Sequence, residues 1–354
     1  MKARFNIWLV GAALIAVLAG SCVKIEGPDD GSWTELEGDR PVTFCSSLAP
    51  ATKATSPLPA NTSFGVFAYY TQTSNWSSVK GSTRPNFMYN EEVDFDGTSY
   101  TYAPIKYWPN NTGEKITFWA YSPYSASPVL YKTGTTTAYS NTTANIPDIQ
   151  FTVTDGKTDF LVSDVAQNKT KPSVNAAVNL TFRHTLSRIA FYVKKVDAAV
   201  PEKYTVKLKN ITLESIYNTA IYKNSAWTGW ALPRGNIAAF APASASEYTT
   251  LTTSYPDAVN PDADPNAFVM VMPQTLNYEY ALLHVEYTID FEGLLNTRTM
   301  ISNVQLSSVF SAASSQWEKG KQYKVYISIT PDDPIEFSVV WSNWGDVHNN
   351  HISS

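Results

Sequence analysis

From residue 41 onward, apolar side chains recur at every second position in short runs, and Gly, Pro, Asn or Asp interrupts each run before it reaches helical length. In one such run Tyr323, Val325, Ile327 and Ile329 fall on one face and Lys324, Tyr326 and Ser328 on the other. A period of two puts one face of a strand in a core and leaves the other wet or packed on a neighbour. The clearest runs in the first half are Val42 to Leu48, Phe64 to Tyr70, Ser99 to Tyr107, Lys115 to Tyr121, Ile149 to Thr154 and Phe160 to Val165. The second half adds Ala177 to Phe182, Ile189 to Val196, Thr205 to Ser215, Ala267 to Val271, Ala281 to Phe291, Arg298 to Val304, Gln322 to Ile329 and Ile335 to Trp341. Only Ser308 to Trp317 reads as a short helix. The expected class is all-β, and strands at this spacing suggest sandwiches.

Composition agrees and narrows the function classes. Charged residues make up only 16% of the 354 residues, while Tyr (21) and Trp (10) are abundant, which is the profile of a secreted β-rich protein. A net charge of −5 without a basic cluster argues against nucleic acid as a partner. Two cysteines, Cys22 and Cys45, are too few for a disulfide framework, so apolar cores are expected to hold the fold.

The amino end carries an address. Lys2 and Arg4 form a positive region, Ile7 to Leu18 an apolar one interrupted by Gly11, and Ala19-Gly20-Ser21 runs directly into Cys22. This is the shape of a bacterial lipoprotein signal cleaved before Cys22, with the thiol lipidated. At about 0.8 kcal/mol per buried methylene, two or three acyl chains anchor a chain stably. Leu18 stands four residues before the cysteine, and Ala19 occupies the place where the usual lipobox has its leucine. An ordinary secretory signal with an incidental cysteine is the alternative, and an uncleaved anchor is disfavoured by the shortness of the apolar run. The expected organisation is a signal over 1–21, a tether over 22–40 rich in turn residues and charge, and two strand sets over 41–172 and 173–354. The boundary is placed at the polar, proline-bearing stretch Lys169-Thr170-Lys171-Pro172-Ser173.

An ordered series of short motifs runs through these strands. It comprises Thr52-Lys53-Ala54 after the first strand, Phe64-Gly65-Val66-Phe67-Ala68-Tyr69, and Pro104-Ile105-Lys106-Tyr107-Trp108-Pro109 leading to Ile116-Thr117-Phe118-Trp119-Ala120-Tyr121. Thr158-Asp159-Phe160-Leu161-Val162, Phe182-Arg183-His184-Thr185-Leu186-Ser187-Arg188-Ile189, Val271-Met272-Pro273-Gln274 and Trp317-Glu318-Lys319-Gly320-Lys321-Gln322-Tyr323 follow. In this order, behind a lipoprotein leader, the series resembles the fimbrillins of the Bacteroidales, the FimA and Mfa-like pilus subunits, over nearly the whole length.

The resemblance implies two tandem transthyretin-like Greek-key β-sandwich domains, no cofactor and no enzyme activity. It also implies export to the outer membrane as a lipoprotein and assembly into a cell-surface fimbrium after a trypsin-like protease removes the first strand. Partners would be other pilin subunits, that protease, the outer membrane through the lipid and, for an adhesive subunit, a host receptor or glycan. The expelled strand would carry Val42, Phe44 and Leu48, with cleavage at Lys53. Arg40 is the alternative, disfavoured because Pro41 follows it, and a solvated loop lysine is the ordinary reading of Lys53. The vacated slot would be filled by a strand from the next subunit. Ile335, Phe337, Val339 and Trp341 are the donor candidates, unless they form the last strand of the chain's own second sandwich. The polar tail from Ser342 to Ser354 favours a subunit that can be extended.

Apparent chemistry is weak. His184 shares a strand face with Phe182 and Leu186, which suits a hydrogen-bonded core histidine better than a catalyst. His348 and His351, near Asp346, lack a fixed fourth ligand for a metal. Glu91, Glu92, Asp94 and Asp96 before Gly97 read as a solvated hairpin tip, since a calcium loop would need a terminal acidic ligand. No nucleophile elbow, zinc-protease helix or phosphate loop occurs, so no catalytic or metal residue is assigned. Trp76, Trp108, Trp119, Trp227 and Trp230 suggest either sandwich core or sugar-stacking platforms, and a non-polymerising glycan-binding surface lipoprotein is the second functional reading.

Overall fold

A computed structural model describes residues 40–49, 58–197, 203–255, 268–277, 279–293, 297–311, 315–331 and 334–344. The first ten strands are β1 (Phe44–Leu48), β2 (Thr62–Gln72), β3 (Met88–Phe95), β4 (Tyr100–Thr101), β5 (Lys115–Ser122), β6 (Val129–Tyr131), β7 (Asp148–Thr152), β8 (Leu161–Ser163), β9 (Ala166–Lys169) and β10 (Val178–His184). The rest are β11 (Ser187–Lys195), β12 (Tyr204–Ile216), β13 (Thr219–Lys223), β14 (Ala226–Thr228), β15 (Gly235–Phe240), β16 (Thr249–Thr250), β17 (Phe268–Val271), β18 (Leu282–Phe291), β19 (Arg298–Gln305), β20 (Lys321–Ile329) and β21 (Glu336–Asn343). The only α-helices among the described residues are single turns, α1 (Trp76–Val79) and α2 (Leu306–Val309).

The first sheet runs β1-β10-β8-β5-β2-β3-β4, with β9 also on β5. Its central strands are buried on both faces, which explains why Phe64 to Tyr69 and Ile116 to Tyr121 read as continuous apolar runs. Phe64, Val66 and Ala68 of β2 join Ile116, Phe118 and Ala120 of β5 in one core. Phe67, Tyr69, Trp119 and Tyr121 point the other way, into a second and larger core. The ends of this sheet meet: the hydroxyls of Ser46 on β1 and Tyr100 on β4 share a hydrogen bond of 2.6 Å.

The second sheet, β14-β13-β7-β6, mixes strands that stand far apart in the chain. Its Ile149 and Leu130 join the larger core, and Phe151 stacks on Phe160 at 4.4 Å. The third sheet, β17-β11-β20-β21, and the fourth, β15-β12-β18-β19 with β16 on β12, contribute to the same core. Ile189, Phe191, Val325 and Ile327 come from the third, and Val206, Leu208, Leu283 and Val285 from the fourth. β11 and β20 pair in parallel, from Arg188↔Gln322 to Lys195↔Ile329. The chain passes from β10 to β11 through Thr185 and Leu186, well beyond residue 172. Thr185 is pinned there: its hydroxyl donates to the Phe160 carbonyl, and the Trp227 indole donates to its own carbonyl at 2.6 Å.

The chain is thus all-β, as its alternation requires, but some elements differ from expectation. The expected strand over Ser99 to Tyr107 shortens to β4, because Pro104 has no N–H to give a ladder. The helix expected over Ser308 to Trp317 is instead the single turn α2, which closes on Leu306 and Val309 as buried residues. Of the acidic residues expected at a hairpin tip, Glu91, Glu92 and Asp94 lie within β3, and only Asp96 sits in the turn that follows, accepting the N–H groups of Thr98 and Ser99 at 2.7 Å each.

Gly65 lies in β2, where a Cβ would sit 2.6 Å from Tyr121 Cε1 and 2.7 Å from Asn90 Oδ1. Tyr121 is buried and its hydroxyl is tied to Asn90 Oδ1 at 2.8 Å, so neither neighbour yields easily. Gly65→Ala is expected to lower stability by about 1–3 kcal/mol in urea unfolding. Gly81→Ala, with open space around it, should stay within about 0.5 kcal/mol.

Candidate functional site

The slot occupied by β1 is the most distinctive site. Among the described residues β1 is an edge strand that pairs on one side only, in parallel with β10, from Phe44↔Val178 to Leu48↔Phe182. The ladder is extended by Val178 N–H to the Thr43 carbonyl at 2.7 Å and Ala49 N–H to the Phe182 carbonyl at 2.8 Å. Alternation turns Val42, Phe44 and Ser46 inward, and Val42 and Phe44 are 1% and 0% exposed. The Phe44 ring meets Tyr102, Phe118 and Phe64 edge-on at 5.5, 5.8 and 6.3 Å, a favoured aromatic geometry. Leu48, at the end of the strand, is half-buried against the same core.

Polar contacts hold the segment before β1. Val42 N–H donates to the Lys106 carbonyl at 2.8 Å, and Trp108 N–H to the Arg40 carbonyl at 2.9 Å. The Tyr102 hydroxyl donates to the Val42 carbonyl at 2.8 Å, and burial pushes its pKa up to about 12. The Arg40 guanidinium donates to the Pro172 carbonyl. The Arg40–Pro41 peptide is therefore held against residues 106–108, a poor presentation for a protease. Cys22 and Lys53 lie outside the described residues, as do His348, His351 and Asp346.

The donor candidates lie at the opposite end of the chain. Phe337, Val339 and Trp341 sit on β21, opposite Ile327, Val325 and Tyr323 of β20, and Ile335 packs just before it. β21 is the edge of the third sheet. The residues after Trp341 do not all stand free. Trp344 N–H donates to the Gly320 carbonyl at 2.8 Å, and its ring stacks on His184 at 3.9 Å. His184 is hydrogen-bonded through Nδ1 to Asp159 at 2.5 Å.

Sequence reasoning missed Tyr100 and Tyr102. Their i, i+2 spacing signals a strand face, but only the closure of the sheet brings that face onto β1.

The model of the fimbrillin-like family matches residues 52–344, a stretch that begins after β1 and ends at Trp344. The fimbrium subunit Fim1C of Phocaeicola vulgatus is 34% identical over 186 residues. That match spans about half of each protein, 49% of this chain and 49% of the relative. The crystal structure of a fimbrial protein from Bacteroides vulgatus has a TM-score of 0.65 at 22% identity, covering 85% of this chain and 99% of that one. This last likeness is one of fold.

Truncating the anchor of β1, Phe44→Ala, is expected to cost about 3–5 kcal/mol in chemical denaturation, as for a fully buried aromatic ring. A second expectation concerns alkaline pH. The raised pKa of Tyr102 means that the folded state keeps a proton that the unfolded chain releases. Its contribution is fully present below about pH 10 and is lost as pH rises through about 12. Unfolding curves across that window should steepen in pH dependence for the native chain relative to Tyr102→Phe.

Proposed function

The chain belongs to the fimbrillin-like family, and on that premise we propose that it is a structural or adhesive subunit of a cell-surface fimbria that assembles by exchange of its first strand. It reaches the outer membrane as a lipoprotein through Cys22. A trypsin-like protease cleaves at Lys53, and Val42 to Leu48 leave with the anchor. The observation that carries the reading is that, among the described residues, β1 pairs along one side only while filling an apolar slot.

Removing such a strand exposes two things together: the backbone edge of β10 and the ring cluster around Phe44. An incoming strand with matched alternation satisfies both. Set in the direction of β1, Ile335, Phe337, Val339 and Trp341 of the next subunit take the places of Val42, Phe44, Ser46 and Leu48. Phe337 then enters the slot of Phe44, and Val339 replaces the polar Ser46. The contact is head-to-tail and grows a filament instead of closing a ring. Lys53 is favoured over Arg40 because the Arg40 carbonyl is tied to Trp108 and Pro41 follows it.

Trypsin treatment of the purified chain is expected to release a fragment ending at Lys53 and then to yield a ladder of oligomers resistant to detergent. Lys53→Ala should stay monomeric, and Phe337→Ala should be cleaved but polymerise at least about tenfold more slowly. A stable monomer after loss of β1 would overturn the proposal.

A further inference from the structure

Away from the β1 slot, a cleft of about 750 Å³ lies where the first sheet, the second sheet, α1 and the end of β21 meet. That volume falls within the roughly 300–1,000 Å³ typical of small-ligand sites. Lys80, Arg183, Lys223 and Lys319 line it against Asp148 and Asp164, a local excess of cations in a chain whose net charge is −5. Asp164 is engaged with Arg183 by two hydrogen bonds of 2.7 Å, and Lys223 faces Asp148. The Lys319 ammonium donates to the Ser225 carbonyl and lies 5.9 Å from the Tyr222 ring centroid. Burial and the nearby Arg183 charge hold Lys319 below the ordinary lysine range, so an added negative charge would stabilise it.

The walls carry a second chemistry. Asp148 is 3% exposed, and its Oδ2 accepts the Gly134 N–H at 2.8 Å. A carboxylate has about four acceptor positions, so hydrogen-bonding capacity remains for ligand hydroxyls. Trp119, Tyr222 and Trp344 supply rings around it, and an apolar ring beside hydroxyl acceptors suits the mixed faces of a sugar.

We propose that this cleft binds a carboxylate-bearing sugar, a uronic acid or its like at the end of a glycan, with Lys319 meeting the carboxylate and Asp148 accepting from ring hydroxyls. The proposal does not depend on strand exchange, and its test uses the full chain before any proteolysis.

Methyl glucuronide, methyl glucoside and acetate would each be titrated into the labelled protein while backbone amide shifts are followed. The glucuronide is expected to shift amides lining the cleft and to bind at least about tenfold more tightly than either control. Lys319→Gln should weaken it about tenfold with an unchanged melting temperature. If that variant is destabilised, Lys80→Gln repeats the test from another part of the wall. Equal affinity for the neutral sugar overturns the role of charge, and equal affinity for acetate overturns the sugar. Shifts outside the cleft, or none up to about 10 mM, overturn the site.

Discussion

Burial of the first sheet on both faces is the constraint from which the rest of the architecture follows. β2 and β5 direct Phe64, Val66, Phe118 and Ala120 into one core and Phe67, Tyr69, Trp119 and Tyr121 into another. A sheet with two apolar faces must be covered on both. One face is covered by the sheet's own curl, which brings β1 round to β4. The other is covered by the second sheet, whose β6 and β7 precede β10 in the chain and whose β13 and β14 follow it. Because β13 and β14 stand on the far side of β11 and β12, the third and fourth sheets are drawn into the same large core.

The curl leaves β1 in an unusual position. It closes the smaller core through Phe44 and Val42, yet among the described residues its ladder has a partner on one side only, and that ladder is parallel. Parallel ladders are slightly weaker per residue than antiparallel ones. The strand is therefore held by one ladder and by side chains in a slot, a kind of binding that another strand of the same alternation can reproduce. The last described residues also pack back onto the middle of the chain. His184, at the end of β10, stacks on Trp344, just after β21.

Much of the fold was legible because strand periodicity is local. The alternation of Tyr323 to Ile329 marks β20 almost to the residue, and the runs at Phe64 and Ile116 mark the centre of the first sheet. Pairing was not legible. Nothing in Val42 to Leu48 says that it runs parallel to Val178 to Phe182, because the partner lies about 130 residues away and register depends on which faces end up buried. Likewise, the polar stretch at residues 169–173 looks like a boundary in composition, yet β10 beyond it completes the sheet begun by β1.

The sequence by itself determined the all-β class, the places of most strands and the family resemblance, since each rests on side-chain types a few positions apart; β3, β6, β9 and β13 to β16 were not marked by it. Only the tertiary structure decided that β1 pairs in parallel with β10 in an aromatic slot and that Arg40 is tied down at its carbonyl. It also decided that Asp148, Lys319 and Trp344 share a cleft. These depend on contacts between distant segments, which exist only once apolar faces with no local means of burial have been covered by other parts of the chain.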